Sequence, residues 1–207
     1  MTEQKTPEFN SIKDYFHYKY KKMRQVSPCR WARLTRKRLV QIFGEYGLTK
    51  GAEIGVDRAT FSEYMFQNIP NLHLLGVDPW YWKLRGESRY QSTIKKMEPY
   101  NMTVIRKQSH IAAVDIPDES LDFVYIDGDH TFDFVMRDLI NWAPKVKMGG
   151  VIAGHDYYGF TRAGIIPAVN VFTQQHMVYE WFLTDEKTPT YFWIREPSFV
   201  DPLPEQD

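Results

Sequence analysis

The sequence has little cysteine and no long apolar run. Cys29 is the single cysteine, so no disulfide can form within the chain. No apolar stretch approaches the roughly 20 residues of a membrane-spanning helix, and residues 1–16 lack the apolar centre of a signal peptide. These absences argue against a disulfide-stapled secreted fold and favour a cytoplasmic protein.

The sequence also lacks net charge, with 26 Lys and Arg against 26 Asp and Glu. The chain as a whole therefore gives no reason to expect a polyanionic partner such as nucleic acid. The charge is uneven, however, because the segment from Lys5 to Arg38 is basic and rich in Tyr, whereas residues 196–207 are acidic and contain several prolines. Such segments can act locally even when their charges cancel in the sum.

Short apolar runs alternate with helical patterns from about residue 50 onwards. This rhythm, without internal repeats, predicts a doubly wound Rossmann-like α/β fold with a mostly parallel sheet covered on both faces. A chain of 207 residues suffices for one such domain. We predict seven strands, at residues 51–56, 72–77, 102–105, 121–126, 149–154, 178–183 and 190–194.

Residues before this pattern predict two N-terminal helices, over 11–25 and 31–46, joined at Ser27-Pro28. We therefore divide the chain into an N-terminal helical extension (1–48), an α/β domain (49–196) and an acidic, Pro-rich tail (197–207). The N-terminal helices are also the segment through which a homodimer could form.

In a doubly wound sheet the ligand binds beyond the carboxyl ends of the strands, where strand order reverses. Gly55 follows the first strand, but the three glycines of a dinucleotide-binding loop are absent, which counts against NAD. Asp78 ends the second strand, and a carboxylate there can accept hydrogen bonds from ribose hydroxyls. The aromatic run that begins at Trp80 fits either a purine-stacking wall or ordinary packing.

Acidic and imidazole side chains follow the fourth and fifth strands. Asp127 and Asp156 should meet at the tips of neighbouring strands, where a divalent cation such as Mg²⁺ would neutralise them. His155 is a weaker candidate ligand, better suited to Mn²⁺ or Fe²⁺. His130 is the candidate general base, because an imidazole titrates near neutral pH. The alternatives without a catalytic role are that Asp127, Asp156 and His155 only cap the helices that follow them, and that His130 is a surface histidine.

The strand ends occur in a recognisable order: residues 53–56 (Glu-Ile-Gly-Val), 76–80 (Gly-Val-Asp-Pro-Trp), 127–130 (Asp-Gly-Asp-His) and 149–157 (Gly-Gly-Val-Ile-Ala-Gly-His-Asp-Tyr). Together they resemble class I S-adenosylmethionine-dependent methyltransferases, and most closely the branch with macrocin-type and catechol-type O-methyltransferases. The resemblance covers about residues 50–194. It implies S-adenosylmethionine as cofactor and a methyltransferase fold.

The resemblance also implies roles for individual residues. Glu53 and Gly55 would lie beside the methionine part of the cofactor, Asp78 would hold the ribose, and Ser109 would contact adenine. Asp127 would lie near the transferred methyl group. In metal-dependent members of the family it would bind the metal, with Asp156 and His155 in the remaining ligand positions. The sequence departs from the family at residues 57–59 and at His155, where catechol-type enzymes carry a carboxylate.

The leading hypothesis is therefore O-methylation of a hydroxyl on a small molecule or sugar, assisted by a divalent cation. A second hypothesis keeps the fold but drops the metal, and allows N- or O-methylation. A third makes the chain a non-catalytic binding module that uses the basic, aromatic N-terminal helices. The inserted loops and N-terminal helices that would line the acceptor pocket are aromatic and basic, which hints at a flat or anionic acceptor.

Overall fold

A computed structural model of the chain describes residues 8–23, 26–81, 85–160 and 163–197. Helices and strands alternate through most of this length. The strands are β1 (Cys29–Trp31), β2 (Lys50–Ile54), β3 (His73–Val77), β4 (Met102–Ile105), β5 (Leu121–Ile126), β6 (Val146–Gly154), β7 (Trp181–Thr184) and β8 (Tyr191–Ile194). The helices are α1 (Ile12–Met23), α2 (Arg36–Glu45), α3 (Thr60–Asn68), α4 (Gly86–Met97), α5 (Ser109–Val114), α6 (Phe132–Trp142) and α7 (Ile165–Gln175).

The strands form one sheet in the order β1-β7-β8-β6-β5-β2-β3-β4. β8 is antiparallel to both of its neighbours, whereas the other described pairs are parallel. The five adjacent parallel strands β6-β5-β2-β3-β4 therefore have the order expected of a doubly wound fold. The strand order reverses between β2 and β5. The predicted α/β class and mostly parallel sheet are confirmed.

Strand side chains alternate between two apolar layers, as the period of two requires. Val124 and Ile126 of β5 point to the layer that contains α5, α6 and α7. Phe123 and Tyr125 point to the opposite layer, which contains α1, α2 and α3. Because both faces of the sheet are buried, its strands read in the sequence as continuous apolar runs.

The N-terminal segment contributes a strand that the sequence did not predict. The sequence predicted a joint at Ser27-Pro28 and a helix from residue 31, but residues 29–31 form β1, which pairs in parallel with β7 and brings the sheet to eight strands. The second predicted helix accordingly begins at Arg36 rather than at residue 31. A three-residue strand within a basic segment has no periodicity of its own, and its partner lies about 150 residues further along the chain.

The two N-terminal helices pack against the sheet. The Phe16 ring of α1 lies 5.9 Å from that of Phe182 and 5.3 Å from that of Phe192, and Phe43 of α2 lies 5.1 Å from Phe123. The residues assigned to a helical extension thus share a hydrophobic core with the α/β domain. Most of the predicted acidic tail lies outside the described residues. No helix within the described ranges combines the length and the apolar character needed to cross a membrane.

Candidate functional site

The parallel register aligns the carboxyl ends of the central strands. Ile54 of β2 is paired with Val77 of β3 and with Ile126 of β5, which is in turn paired with Gly154 of β6. The loops that follow these four residues therefore leave the sheet at a common edge. This edge carries most of the candidate residues that the sequence identified.

Gly55 follows β2, and its backbone lies directly against the residues that follow β5. A Cβ atom there would lie 2.1 Å from the carbonyl oxygen of Asp127, and the residue has a φ of +94°. Glycine is thus required both for space and for conformation. In the loop that follows, Asp57 and Ala59 also have positive φ, at 46° and 52°. Non-glycine residues in this region cost about 1–3 kcal/mol each and cluster at functional sites.

Glu53 is a carboxylic acid enclosed in the sheet just below this loop. Its side chain is 2% exposed, and its Oε2 accepts a short hydrogen bond from the hydroxyl of Ser62 on α3. Burial raises the pKa of Glu53 to about 8, against the opposing effect of the Ser62 hydrogen bond. The predicted cofactor residue is therefore largely uncharged at neutral pH until a cation comes close.

Asp78 holds the β2–α3 loop from the end of the neighbouring strand. Its Oδ2 accepts from the backbone N–H groups of Val56 (3.1 Å) and Asp57 (2.9 Å), and its Oδ1 accepts from that of Trp80 (2.7 Å). Burial raises its pKa, although these hydrogen bonds act in the opposite direction. A carboxylate has about four acceptor positions, so roughly one is left for a ribose hydroxyl rather than the two that the sequence suggested.

Ser109 begins α5, as predicted, beyond the end of β4. Its hydroxyl donates a short hydrogen bond to Oδ1 of Asp138 on α6. Asp138 is 2% exposed, and burial raises its pKa to about 6. Ser109 thus links α5 to α6 on the far side of the β5–α6 loop, and its contact with adenine stays a prediction.

Trp80 has a structural role in this region. It is 2% exposed, its indole Nε1 donates to the carbonyl of Asp57 at 3.0 Å, and its ring lies 5.1 Å from that of Tyr90. Of the aromatic run that was considered as a stacking wall, Tyr81 is exposed and Trp82 lies outside the described residues.

Asp127, His130 and Asp156 come together at the carboxyl ends of β5 and β6. The Nε2 atom of His130 lies 3.7 Å from Oδ1 of Asp127 and 3.4 Å from Oδ2 of Asp156. One potential ligand atom from each residue falls within 4.8 Å of the others. Among the described residues this trio is the one group of histidine, cysteine and carboxylate side chains with such spacing. Asp156 also has a positive φ, of 60°.

His155 borders this trio, with its Nδ1 atom 3.9 Å from Oδ1 of Asp127. Its Nδ1 is 3.0 Å from Oδ1 of Asp156, and its Nε2 is 3.4 Å from both Nη1 of Arg36 and Oγ1 of Thr188. Because a guanidinium can only donate, Nε2 of His155 is the acceptor and Nδ1 carries the proton. Both ring nitrogens are therefore engaged, and His155 orients the Asp156 carboxylate. By the spacing of its ligand atoms His130 groups with the two carboxylates, and the role of His155 as a metal ligand stays a prediction.

The charges in this cluster act on one another. The nearby Asp127 carboxylate raises the pKa of His130, with a further contribution from Asp156. Burial alone would raise the pKa of Asp156, but the hydrogen bond from His155 and the positive charges of His130 and Arg36 outweigh it and lower that pKa. The site thus favours a positive charge between its two carboxylates.

Sequence reasoning missed two residues here. Ser62 was not identified as a site residue: it lies in the first turn of α3, and its hydroxyl turns inward to Glu53. Arg36 was noted only as one of many basic residues. Since β1 runs parallel to β7, the chain emerges at the carboxyl edge, and α2 therefore starts at the site. No local pattern reveals this.

A cleft of about 480 Å³ opens at this edge and extends from the β2–α3 loop to Asp127 and His130. Its lining includes Glu53, Gly55, Asp127 and His130. Arg36 of α2 and Phe61 of α3 also line it. A larger cavity of about 660 Å³ lies at the other edge of the sheet, lined in part by Phe172 and Trp193. Parallel sheets bind ligands at the carboxyl ends of their strands, so the smaller cleft is the candidate active site.

Two curated proteins match the chain in sequence. Uncharacterized protein R132 of Acanthamoeba polyphaga mimivirus is 29% identical over 124 residues, which are 57% of this chain and 56% of that protein. Uncharacterized protein y4gI of Sinorhizobium fredii is 31% identical over 104 residues, 44% of this chain but 11% of that protein. The chain thus spans about half of one relative's length and a small part of the other's.

Solved structures share the fold at low identity. A Staphylococcus aureus protein assigned as a caffeoyl-CoA O-methyltransferase has a TM-score of 0.63 at 14% identity, covering 89% of this chain and 93% of that one. A Streptococcus mutans protein assigned as a methyltransferase, in complex with SAH, has a TM-score of 0.55 at 12% identity, covering 77% and 97%.

The family comparison goes further than the fold. A model described as a methyltransferase domain matches residues 52–157, about half of the chain's 207 residues. The match runs from β2 to the residue after Asp156, and so includes Glu53, Gly55, Asp78 and the Asp127–His130–Asp156 cluster. The chain belongs to the methyltransferase domain family, for which S-adenosylmethionine is the implied methyl donor.

Proposed function

We propose that this chain transfers a methyl group from S-adenosylmethionine to a hydroxyl of a small molecule or sugar, with a divalent cation held at the carboxyl edge of the sheet. The observation that carries this proposal is the Asp127–His130–Asp156 cluster, which lies beside a cleft shared with Glu53 and Gly55. The macrocin-type and catechol-type resemblance adds support.

Four residues would hold the donor. Glu53 and Gly55 would bind its methionine part, Asp78 one hydroxyl of its ribose, and Ser109 its adenine. The positively charged sulfonium supplies an electrophilic methyl group. The chain contributes the placement: Gly55 lets β2 and β5 close against each other, which brings the Glu53 carboxyl and the Asp127 side chain into one cleft.

The donor set of the cluster fits a divalent cation. Two carboxylate oxygens and one imidazole nitrogen lie within 4.8 Å of one another, and ligands about 2.1 Å from a shared ion stand at comparable separations. A bound divalent cation lowers the pKa of a coordinated hydroxyl and orients it. One nitrogen ligand among oxygens favours Mn²⁺ or Fe²⁺ over Mg²⁺. His155, held by Arg36 and Thr188, keeps the Asp156 carboxylate in place.

A metal-free reaction is the second candidate function. Both carboxylates interact with His130 and raise its pKa, so the imidazolium can itself balance their charge. In its neutral form His130 would accept the proton of the acceptor hydroxyl, the two carboxylates would stabilise the imidazolium that forms, and Asp127 would orient the acceptor. His130 cannot serve as metal ligand and proton acceptor at once, so the two candidates make different predictions.

The test is calorimetric titration of the protein with S-adenosylmethionine and, separately, with Mn²⁺ after treatment with EDTA. We expect saturable binding of S-adenosylmethionine that Asp78→Ala weakens. We also expect one Mn²⁺ per chain, lost in Asp127→Asn and His130→Gln, weakened in His155→Gln because Asp156 loses its hydrogen bond, and kept in His73→Gln, the matched control away from the cluster.

Absence of S-adenosylmethionine binding would overturn the proposed activity. Cofactor binding without Mn²⁺ binding would leave the metal-free candidate in its place. Loss of Mn²⁺ in His155→Gln with retention in His130→Gln would restore the ligand set that the sequence suggested.

A further inference from the structure

The candidate cleft has an excess of unpaired positive charge. Arg36 and Lys37 from the start of α2 and Arg58 from the β2–α3 loop line it. None of these three side chains forms an ion pair with a carboxylate of the described residues, whereas Arg38, one residue further along α2, pairs with Glu45. Lys37 and Arg58 are exposed and solvated, but cations gathered along one concave surface raise the local concentration of an anionic ligand and favour its binding.

Of the acidic residues that line the cleft, Asp127 lies 3.7 Å from His130, and the other three do not neutralise Arg36, Lys37 or Arg58. Asp57 pairs with Arg89 at 2.5 Å, and Glu63 pairs with Lys96 at 2.9 Å, so both are neutralised by cations from α4. Glu53 has a pKa of about 8 because of its burial, and is therefore mostly uncharged at neutral pH. The rim formed by the start of α2 thus keeps its positive charge.

Contacts with Glu186, Phe61 and His155 fix the position of Arg36. Its backbone N–H donates to Oε2 of Glu186 at 2.7 Å, which fixes the first turn of α2. Its guanidinium carbon lies 5.0 Å from the centroid of the Phe61 ring, and its Nη1 is 3.4 Å from Nε2 of His155. A guanidinium has five donors, and this is its one hydrogen bond to a described side chain. The others are available at little entropic cost, since the group is already oriented.

We propose that Arg36, assisted by Lys37, recognises an oxyanion on the methyl acceptor, either a carboxylate or a phosphate ester. This inference rests on the proposed function and narrows its substrate class to anionic hydroxyl compounds. Arg36 lines the same cleft as Asp127 and His130, so one small molecule can present its anion to α2 and its hydroxyl to the cluster. Arg58 belongs to the loop assigned to the cofactor, whose own carboxylate it can meet, and is left outside the acceptor site.

The experiment titrates inorganic phosphate and, separately, benzoate into protein saturated with S-adenosylhomocysteine, so that the cofactor's carboxylate is already bound. We expect saturable binding of at least one of the two anions. Arg36→Gln should weaken it by roughly ten-fold or more, as loss of a charge-assisted hydrogen bond predicts. Arg36→Lys should recover part of the affinity. Tighter binding of phosphate would indicate a phosphate ester as acceptor, and tighter binding of benzoate a carboxylate.

Arg33→Gln is the matched control, because it removes an exposed positive charge from the same segment outside the cleft. It should leave anion binding unchanged. The inference is overturned if neither anion binds, if Arg36→Gln binds them as well as the wild type, or if Arg36→Gln weakens S-adenosylhomocysteine instead. Failure of the wild type to bind S-adenosylhomocysteine at all would instead reject the proposed function, and the inference with it.

Discussion

At the scale of single residues, Glu53 combines burial with a position in the cleft. Its pKa of about 8 follows from the loss of water around the carboxylate, and such a group responds strongly to a cation placed beside it. The α-amino group of S-adenosylmethionine is that cation in the proposed function. Glu53 would therefore change its protonation state when the donor binds.

We predict that binding of S-adenosylmethionine at pH 7 releases close to one proton from Glu53. A carboxyl with a pKa of about 8 is roughly nine-tenths protonated at this pH, and the incoming ammonium favours the ionised form. Because the complex binds fewer protons, the affinity should rise with pH up to about 8. Calorimetry in Hepes and in Tris, which differ in ionisation enthalpy and contain no phosphate, measures the release.

Glu53→Gln should abolish this proton release and weaken the donor by roughly ten-fold or more, since a hydrogen bond to a charged group is lost. Glu63→Gln is the control, because Glu63 lines the same cleft but is already paired with Lys96. An identical binding enthalpy in both buffers for the wild type would contradict the assigned role of Glu53.

Much of the candidate site could be predicted from residues at strand ends. Asp78, Asp127 and Asp156 follow strongly apolar runs, so the sequence places them at one edge of the sheet. Which histidine joins them could not be predicted, because His130 and His155 both follow strands. The distinction comes from the contacts of His155 with Arg36 and Thr188, and these residues approach only through tertiary packing.

At the scale of elements, α2 carries the positive rim and depends on how its first turn is fixed. Thr35 is its N-cap, and the Thr35 hydroxyl accepts a hydrogen bond from the backbone N–H of Arg38 at 3.2 Å. Thr60 is the first residue of α3, but the N-cap there is Ala59 and no side chain caps that helix. The two threonines thus form a matched pair.

We predict that Thr35→Ala lowers the free energy of unfolding by about 1 kcal/mol, as loss of an N-cap hydrogen bond does. Thr60→Ala should change it by less than about 0.5 kcal/mol, since an exposed side chain without a cap bond is removed. Urea denaturation of both variants checks the comparison. Equal losses would show that the capping of α2 is not what the Thr35 hydroxyl provides.

Most elements could be predicted because their patterns are local. The four-residue strand at 102–105 and the helix at 109–114 have the bounds that the sequence indicated. β1 could not be predicted, because its three residues are stabilised by pairing with β7, which lies about 150 residues later in the sequence. Its absence from the prediction also hid the route by which Arg36 reaches the site.

At the scale of the whole molecule, the division of the chain at residue 48 can be tested. Phe16 of α1 is 1% exposed and contacts aromatic rings of both β7 and β8. We predict that Phe16→Ala lowers the free energy of unfolding by about 3–5 kcal/mol and that unfolding remains a single transition. Fluorescence and circular dichroism followed together in urea report whether the two signals coincide.

Lys21→Ala, on the exposed side of the same helix, should be nearly neutral. If residues 1–48 instead form a separate unit, Phe16→Ala would produce two transitions, with the second unchanged from the wild type. That outcome would support the boundary drawn from the sequence.

The pairing of β1 with β7 also bears on how the chain is made. Synthesis proceeds from the N-terminus at about 5–20 residues per second, so Cys29–Trp31 leaves the ribosome roughly ten seconds or more before Trp181–Thr184, its partner in the sheet. During that interval β1 has no strand to pair with, and Phe16 of α1 has no Phe182 ring to pack against. During synthesis the β1–β7 pair therefore cannot form until residues 181–184 have been made, and a nascent chain that stops short of residue 181 would expose both segments to chaperones.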